Sequence, residues 1–425
     1  MKTSAFLLKQ GSISSILTVL LLGLSLLFVN WQINILGIKK YGLLVLLLNV
    51  FGTINMLNIG VGTAIVDYYS KYGEDKSVFW SIFIASFLAI LLVSMFILGI
   101  SSVFYQSIFN VLGVEKESLN LMAFYGFSLI GISRLLGSIT ASYWTAKVDF
   151  LKLKLFGFIN IYFSITMILI FYWYGFTLND SLLYSGVLNL FFIFFITLKI
   201  IVSSIKIREL DIVFNIKSHF KEFISNAFQF QGLSIVNNLS SPIINVMINN
   251  NFGLQAVSLF DVALKLLRSG RQIIVSATEP FFGKITQLHN KDKHRLMRLL
   301  VLKYTKYMMI MALIYVIVTF LFSKYILIIW MGSEIAQETH MIVNFVSIGF
   351  AINMVAAVIY NKYLAIRSFR KYVLYHQLLL LLLSILPFLF PINSLEIYSI
   401  FYSIAFIISS IYLLVVFYKN PRRVN

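Results

Sequence analysis

The sequence predicts an all-α integral membrane protein of about 12 transmembrane helices, in two six-helix lobes related by a pseudo-two-fold axis along the membrane normal. Three observations predict this fold class: apolar composition, a succession of long apolar segments, and basic residues concentrated in alternate loops. Of the 425 residues, 60% are hydrophobic and 12% are charged, whereas soluble domains are roughly 45–50% apolar and about 25% charged. We therefore expect the bilayer to be the solvent, with no room for a separate soluble domain.

The apolar segments follow one another along the whole chain. The first outlasts the apolar core of a secretory signal peptide and has no cleavage site after it, so we expect it to remain as a helix. The predicted spans are 13–36, 42–66, 78–104, 119–144, 155–176, 181–203, 223–251, 256–283, 301–330, 339–364, 373–391 and 396–418.

The distribution of Lys and Arg predicts the orientation of these spans. The loops on one side hold nearly all of the basic residues, whereas the other side holds only Lys39, Lys40, Lys116 and Lys324. Basic loops stay in the cytoplasm, so both termini are predicted to be cytoplasmic. The net charge of +18 is thus a topological signal, and we expect no nucleic-acid partner.

A hydrophilic segment near the middle divides the chain into two halves. Residues 204–222 mix basic residues with Ile and Phe, which predicts either an interfacial helix or a solvated connector. The predicted lobes are residues 1–203 and 223–425. Two short matches recur at equivalent places in the halves: NILGIKKYG resembles NNNFGLQAVS, with Gly37 on Gly253, and TAKVDFLKLKL resembles LAIRSFRKYVL, with Phe150 on Phe369.

The eighth span carries a polar, mainly cationic face. At about 100° per residue, its polar residues fall within about 60° of one another, and Arg271 lies about 60° beyond. These residues are Asp261, Lys265, Arg268, Gln272 and Glu279. Charges in mid-bilayer cost about 2.5–3.5 kcal/mol each, so they face a cavity or a partner. A cationic face predicts binding of an anion such as pyrophosphate. The alternative is internal neutralisation, in which Asp261 pairs with Lys265.

The two acids on this face have two interpretations. Asp261 and Glu279 are either coupling-ion ligands or structural counter-charges.

Other candidate substrate-binding residues lie in other spans. Arg134 is the one deep base of the first lobe, and it either faces the cavity as a substrate-binding residue or extends towards the membrane surface. Asn237 and Ser241 lie on a polar sector of the seventh span that suits either sugar hydroxyls or contacts between helices. Lys362 is predicted to extend from a span end towards the membrane surface.

The sequence offers no signature of catalysis or of a cofactor. It has no Cys and five His, and none of the His pairs at i,i+4, so we expect no metal site. A phosphate-binding loop of the form G-x-x-x-x-G-K-[ST] is absent. We therefore expect a protein that is not an enzyme and binds no cofactor.

Three segments resemble a known family. They are the L-G-x-x-x-Y-G turn at 36–42, LNIGVGTAIVDYYSKY at 57–72, and FGLQAVSLFDVALKLL leading to EPFFGKITQL at 279–288. Together with length, span number and loop plan, they resemble the Wzx-type polysaccharide flippases. These are relatives of the multidrug and toxin extrusion (MATE) antiporters within the multidrug/oligosaccharidyl-lipid/polysaccharide exporter (MOP) superfamily.

This resemblance implies a carrier in the bacterial cytoplasmic (inner) membrane. It would flip undecaprenyl-pyrophosphate-linked oligosaccharide to the outer leaflet by alternating access, for O-antigen lipopolysaccharide or another surface polysaccharide. Its partners would be the lipid-linked glycan, membrane lipids, H⁺ or Na⁺, and a glycan polymerase. One alternative is a multidrug antiporter of the same fold, which needs unpaired acids in its cavity. Another is a polytopic glycan polymerase or ligase, which needs a larger outer loop than this chain provides.

Overall fold

A computed structural model of the chain shows helices, and no strand, throughout the residues it describes. These are residues 2–54, 61–62, 65–66, 69, 76–114, 119–147, 149–204, 216–276, 285, 293–365 and 370–419. The helices are α1 (Lys2–Leu36), α2 (Ile38–Gly52), α3 (Lys76–Val103), α4 (Tyr105–Val111), α5 (Leu121–Ala146), α6 (Phe150–Trp173), α7 (Leu178–Ser204), α8 (Ile216–Ser276), α9 (His294–Met331), α10 (Ser333–Ala365), α11 (Arg370–Ile385, followed by a 3₁₀ turn Leu386–Leu389) and α12 (Leu395–Lys419).

The helix boundaries confirm the predicted all-α membrane fold. Within the described residues, nine helical segments are long and apolar enough to cross a membrane. Neither α2 nor α8 is among them. Helix α2 has only 15 residues, and α8 carries the charged face predicted for the eighth span.

Two glycine turns place the polar face. Gly37 lies between α1 and α2, and Gly253 interrupts α8, with φ values of +76° and +83°. The ψ of Gly253 is 174°, a combination that only glycine adopts without strain. Gly253 divides α8 into a first segment (216–252) and a second segment (254–276), which match the predicted spans 223–251 and 256–283 where the structure describes them. The two glycines aligned from the sequence thus share a turn conformation, whereas Phe369 lies outside the described residues.

The chain forms two compact units. One contains residues 1–42 and 247–425, and the other contains residues 43–246. The lobe boundaries predicted from the sequence stay a prediction, and most of the predicted linker 204–222 lies outside the described residues.

Helix α5 is the centre of the unit formed by residues 43–246. It packs against α3, α6 and α7, and 72% of its apolar span is buried, against 28% for α7. Small residues make this close packing possible, because an added Cβ at Gly126 would meet the backbone of Leu182 and one at Gly186 would meet the carbonyl oxygen of Gly126. In a bilayer, such backbone contact is what drives helices together.

Helix α10 has the equivalent place in the unit formed by residues 1–42 and 247–425. It packs against α9, α11 and α12, and 72% of its apolar span is buried. Close approach to α12 again depends on glycine, because a Cβ at Gly349 would meet the Ser403 backbone. Helices α5 and α10 correspond to the fourth and tenth predicted spans, so each unit is organised around the span at the same place in its half.

Candidate functional site

The second segment of α8 carries a cluster of three polar side chains shared with α2. The Nζ of Lys265 lies 2.8 Å from Oδ2 of Asp261 and donates to the Tyr41 hydroxyl at 2.7 Å. That hydroxyl donates in turn to Oδ2 of Asp261 at 2.5 Å. The side chain of Lys265 is 35% exposed and that of Asp261 is 12% exposed. Each polar group of the Tyr41–Asp261–Lys265 cluster therefore has a partner within the cluster.

The cluster forms because α2 and the second segment of α8 cross at very short range. An added Cβ at Gly42 would meet the carbonyl oxygen of Leu254, and it would lie 2.5 Å from Oγ of Ser258. The Ser258 hydroxyl donates to the carbonyl oxygen of Ile38 at 2.5 Å. Only a residue without a side chain fits at position 42, and this close approach brings the Tyr41 ring onto the charged face.

The internal neutralisation considered from the sequence is thus present for one of the three bases. Lys265 and Asp261 form an ion pair at i,i+4, and Tyr41 holds both charges from a separate helix.

Arg268 lies one turn further along the same helix, and its surroundings differ from those of Lys265. Its side chain is exposed, and it interacts with the hydroxyl of Tyr402 on α12. In the described part of the chain, no carboxylate lies within salt-bridge distance of Arg268. Within those residues its partner is a neutral hydroxyl.

Arg271 points into a pocket of the same unit. One Nη donates to Oδ1 of Asn353 on α10 at 2.9 Å, while its Nε is buried without a hydrogen-bond partner. The pocket is also lined by Tyr360, His376 and Gln377. Arg268 and Arg271, neighbours on the predicted face, thus have different surroundings.

Arg134 lies in the other unit, on α5. Its Nε is buried without a hydrogen-bond partner, and its neighbour Ser133 accepts a 2.5 Å hydrogen bond from the Nδ2 of Asn189 on α7. One turn away, Asn160 of α6 packs directly on Gly137. Tyr162 of α6 is close enough to Arg134 to interact with it electrostatically.

The structure describes some of the remaining predicted site residues and not others. Gln272 and Ser241 are half-buried. The side chain of Asn237 and the whole of Glu279 lie outside the described residues, so their predicted roles stay predictions.

The prediction for Lys362 is wrong. Its side chain is only 4% exposed, and its Nζ lies 4.7 Å from the ring centre of Phe417 and 5.6 Å from that of Tyr363. The aromatic rings enclose the ammonium group, which therefore does not extend to the membrane surface.

Sequence reasoning missed Tyr41, Asn353 and His376 as parts of this region. Tyr41 belongs to the L-G-x-x-x-Y-G turn, so a signal was present, but its partner Asp261 is 220 residues away. Asn353 and His376 are isolated polar residues in otherwise apolar helices, and such residues in a bilayer usually face the protein interior. Helical periodicity compares residues within one span, so it cannot detect contacts made between spans.

Comparison with known proteins identifies the fold. No protein-family model matches the sequence, and no curated protein matches it. The chain is similar in structure to an inward-facing multidrug resistance MATE family transporter of the MOP superfamily, with 13% identity, 93% of each chain covered and a TM-score of 0.68. It is also similar to the lipid II flippase MurJ in the inward closed conformation, with 17% identity, 96% of this chain and 87% of that chain covered, and a TM-score of 0.69.

A third similar structure is the Vibrio cholerae MATE transporter VcmN in the bent form. It is 12% identical, with 100% of this chain and 99% of that chain covered and a TM-score of 0.65. At these identities the similarity shows the fold alone, and the narrower resemblance to Wzx-type flippases stays a prediction. The chain therefore has the two-lobed, all-α membrane fold seen in MATE transporters and in MurJ.

Proposed function

We propose that this protein is a transporter that flips undecaprenyl-pyrophosphate-linked oligosaccharide across the bacterial cytoplasmic membrane, for O-antigen or another surface polysaccharide. The observation that carries the proposal is the exposed guanidinium of Arg268. It has no carboxylate partner among the described residues, and the only described acid of the same helix face, Asp261, is already paired with Lys265.

A pyrophosphate suits this arrangement for electrostatic reasons. Guanidinium presents several donors in a fixed plane, which match the oxygens of a phosphate group. A base that faces a watery cavity is hydrated while the cavity is empty, and it gains a charge-assisted contact when the anion enters. We assign pyrophosphate binding to Arg268, and contacts with sugar hydroxyls to Gln272, Asn237 and Ser241. The polyprenyl tail would remain in lipid.

The charge of Lys265 has a smaller part in this proposal. Because Asp261 neutralises it, Lys265 contributes less attraction for an anion than Arg268 does. Asp261 is then a structural counter-charge rather than a coupling-ion ligand. Arg134 stays a predicted substrate contact of the first half of the chain.

Two classes of protein with this fold bear on the choice of substrate. MurJ is a lipid II flippase, whereas the MATE proteins are multidrug transporters, and the fold alone favours neither. A multidrug antiporter for cationic drugs needs an unpaired acid. Asp261 does not provide one, because Lys265 and Tyr41 both bind its Oδ2. The paired state of Asp261 therefore favours the flippase over the antiporter, and both over a polymerase or ligase.

Deletion of the gene tests the function directly. We expect the deletion strain to lose a surface glycan while lipid-linked repeat units accumulate on the cytoplasmic face of the inner membrane. Re-expression of the wild-type chain should restore the glycan. Normal surface glycan in the deletion strain, with increased sensitivity to cationic drugs, would instead support the antiporter.

The coupling ion, H⁺ or Na⁺, can be identified from the gradient that drives flipping in proteoliposomes.

A further inference from the structure

A polar pocket lies within the unit formed by residues 1–42 and 247–425, among α8, α10, α11 and α12. Its volume is about 210 Å³. The polar side chains that line it are Arg271, Asn353, Tyr360, Asn361, His376 and Gln377. No carboxylate is among its lining residues, so Arg271 supplies its one permanent charge.

The guanidinium of Arg271 is held in place by a chain of hydrogen bonds. Its Nη2 donates to Oδ1 of Asn353 at 2.9 Å, and the Nδ2 of Asn353 donates to Oγ of Ser410 at 3.3 Å. The Nε of Arg271 is buried and has no hydrogen-bond partner. Buried polar groups are almost always hydrogen-bonded, and a buried charge is costly unless it is paired. The pocket thus contains a cation that is fixed through one Nη and has no carboxylate partner among the described residues.

Of the other polar groups, His376 presents an acceptor to the pocket, whereas the Tyr360 hydroxyl can present a donor. The Nδ1 of His376 lies 2.8 Å from the carbonyl oxygen of Ser409. Because a carbonyl only accepts, Nδ1 carries the proton, and the Nε2 of the neutral ring is left as an acceptor. The Nε2 of Gln377 donates to the Tyr360 hydroxyl at 3.4 Å. The phenolic proton of Tyr360 can therefore point to a bound ligand.

We propose that this pocket binds a small oxyanion, a carboxylate or a phosphate group, and that Arg271 is the residue that binds its charge. A cationic ligand would be repelled by Arg271 and by the nearby charge of Arg268. An apolar ligand would remove water from the guanidinium and the amides without replacing their hydrogen bonds. Water can satisfy the donors but leaves the charge unpaired, whereas an oxyanion satisfies both.

The proposal does not depend on the flippase function, because pyrophosphate binding there is assigned to Arg268. The oxyanion has two chemical sources. It is either a free anion from the aqueous phase, or an acidic group attached to the transported lipid-linked molecule. Both sources present the same oxygens to Arg271, so the experiment has an arm for each.

Thermal unfolding of the purified full-length protein in detergent tests the pocket. Sodium phosphate and sodium acetate serve as probes, against sodium chloride at matched ionic strength. We expect the wild-type Tm to rise with phosphate or acetate concentration in a saturable way, because a ligand of the folded state stabilises it. The rise should disappear in Arg271→Gln and persist in Arg295→Gln, a matched change at an exposed arginine at the start of α9.

A second variant tests the pocket independently, in case Arg271→Gln does not fold. Ala357 lines the pocket, and Ala357→Met should fill it while Arg271 stays in place, so it too should remove the response. A Tm rise that persists in Arg271→Gln and Ala357→Met would overturn the proposal. So would a response lost only in Arg268→Gln, a result that would leave the proposed function intact.

The source of the anion is resolved by repeating the titration with undecaprenyl pyrophosphate in the detergent. If phosphate or acetate raises the Tm through Arg271, a free anion is sufficient. If only the lipid raises it through Arg271, the pocket binds the pyrophosphate of the lipid, and the assignment of pyrophosphate to Arg268 is then wrong. If none of these probes gives an Arg271-dependent rise, the pocket does not bind oxyanions, whatever the glycan phenotype of the deletion strain.

Discussion

The bases on the polar face of α8 have three different surroundings. Lys265 is paired with Asp261 and Tyr41, Arg268 is exposed, and Arg271 lies in a pocket against Asn353. The spacing in the sequence predicted that these residues share one face, and it allowed the pair at i,i+4. It could not distinguish Arg268 from Arg271, because their surroundings are set by α2, α10 and α12.

Replacement of Arg268 tests the proposed pyrophosphate contact. We expect Arg268→Ala to insert normally and to lower substrate affinity by about 10- to 100-fold, since a hydrogen bond to a charged group contributes about 1.5–3 kcal/mol. Arg268→Lys should recover only part of the activity, because a single ammonium replaces a planar set of donors. Surface glycan and protein abundance are measured together. Full glycan export by a well-expressed Arg268→Ala protein would remove this residue from the site.

Replacements within the Tyr41–Asp261–Lys265 cluster test its structural role. Lys265→Met leaves Asp261 without its cation, so we expect the protein to lose about 1–3 kcal/mol of stability. The double variant Asp261→Asn/Lys265→Met should recover most of this loss, because neither charge remains to be compensated. Tm in detergent gives the coupling energy of the pair.

Transport measured on the same variants separates structure from function. If the pair is structural, the double variant should retain glycan export. Loss of export in a stable double variant would instead return Lys265 or Asp261 to the transport machinery.

At the scale of elements, the crossing of α2 and α8 is the contact most sensitive to side-chain size. We expect Gly42→Ala to destabilise the protein by about 1–3 kcal/mol, because the added methyl group would overlap with the carbonyl oxygen of Leu254 and force the helices apart. Gly52→Ala is the matched control on the same helix, since an added Cβ there meets nothing within 4 Å. Tm and membrane abundance of the two variants should differ clearly. Equal values would show that the helices can separate at little cost.

The sequence predicted most helices closely because long apolar segments and charged loops mark their ends. It placed the break between the seventh and eighth spans at residues 252–255, where Gly253 separates the two segments of α8. It missed the short helix α4 (Tyr105–Val111), which lies in a predicted outer loop and is too short for periodicity to detect. For Lys362, the prediction failed because the aromatic side chains that enclose it include Phe417 of another helix.

At the scale of the whole molecule, the predicted topology can be tested with reporter fusions. From the asymmetry of Lys and Arg, reporters fused after residues 40, 112 and 178 should lie outside, and those fused after residues 74, 150, 214 and 292 should lie in the cytoplasm. Alkaline phosphatase and a cytoplasmic fluorescent protein give opposite readouts at each position. A cytoplasmic signal at 112 or 178 would contradict two lobes with an even number of spans each.

The fold class followed from the composition, the apolar segments and the placement of basic residues, whereas the internal organisation of each unit could not be predicted. An apolar helix at the centre of a unit and one facing lipid have similar sequences, because both are surrounded by apolar groups. What distinguishes α5 and α10 is their small residues, such as Gly126 and Gly349, at places where another backbone approaches. The sequence shows these glycines but not which of them are in contact.

The crossing of α2 and α8 joins two segments that match in sequence. The match of Gly37 to Gly253 also aligns Ile38 with Leu254 and Gly42 with Ser258. Gly42 approaches Leu254, and Ser258 approaches Ile38. These two contacts join the same pair of aligned positions, with the two helices exchanged. Two identical subunits meet in this way across a two-fold axis. The crossing therefore has a local two-fold symmetry, in which the aligned positions of two matching segments contact each other.

The polar cluster beside that crossing occurs only once. Where a symmetric dimer would repeat Tyr41, Asp261 and Lys265, the aligned positions hold Val257, Val45 and Asn49. Two identical chains must duplicate every charge that they place near their axis. A single chain can keep an ion pair on one side of the crossing and have uncharged residues on the other side. The three aligned positions show this difference between the two halves.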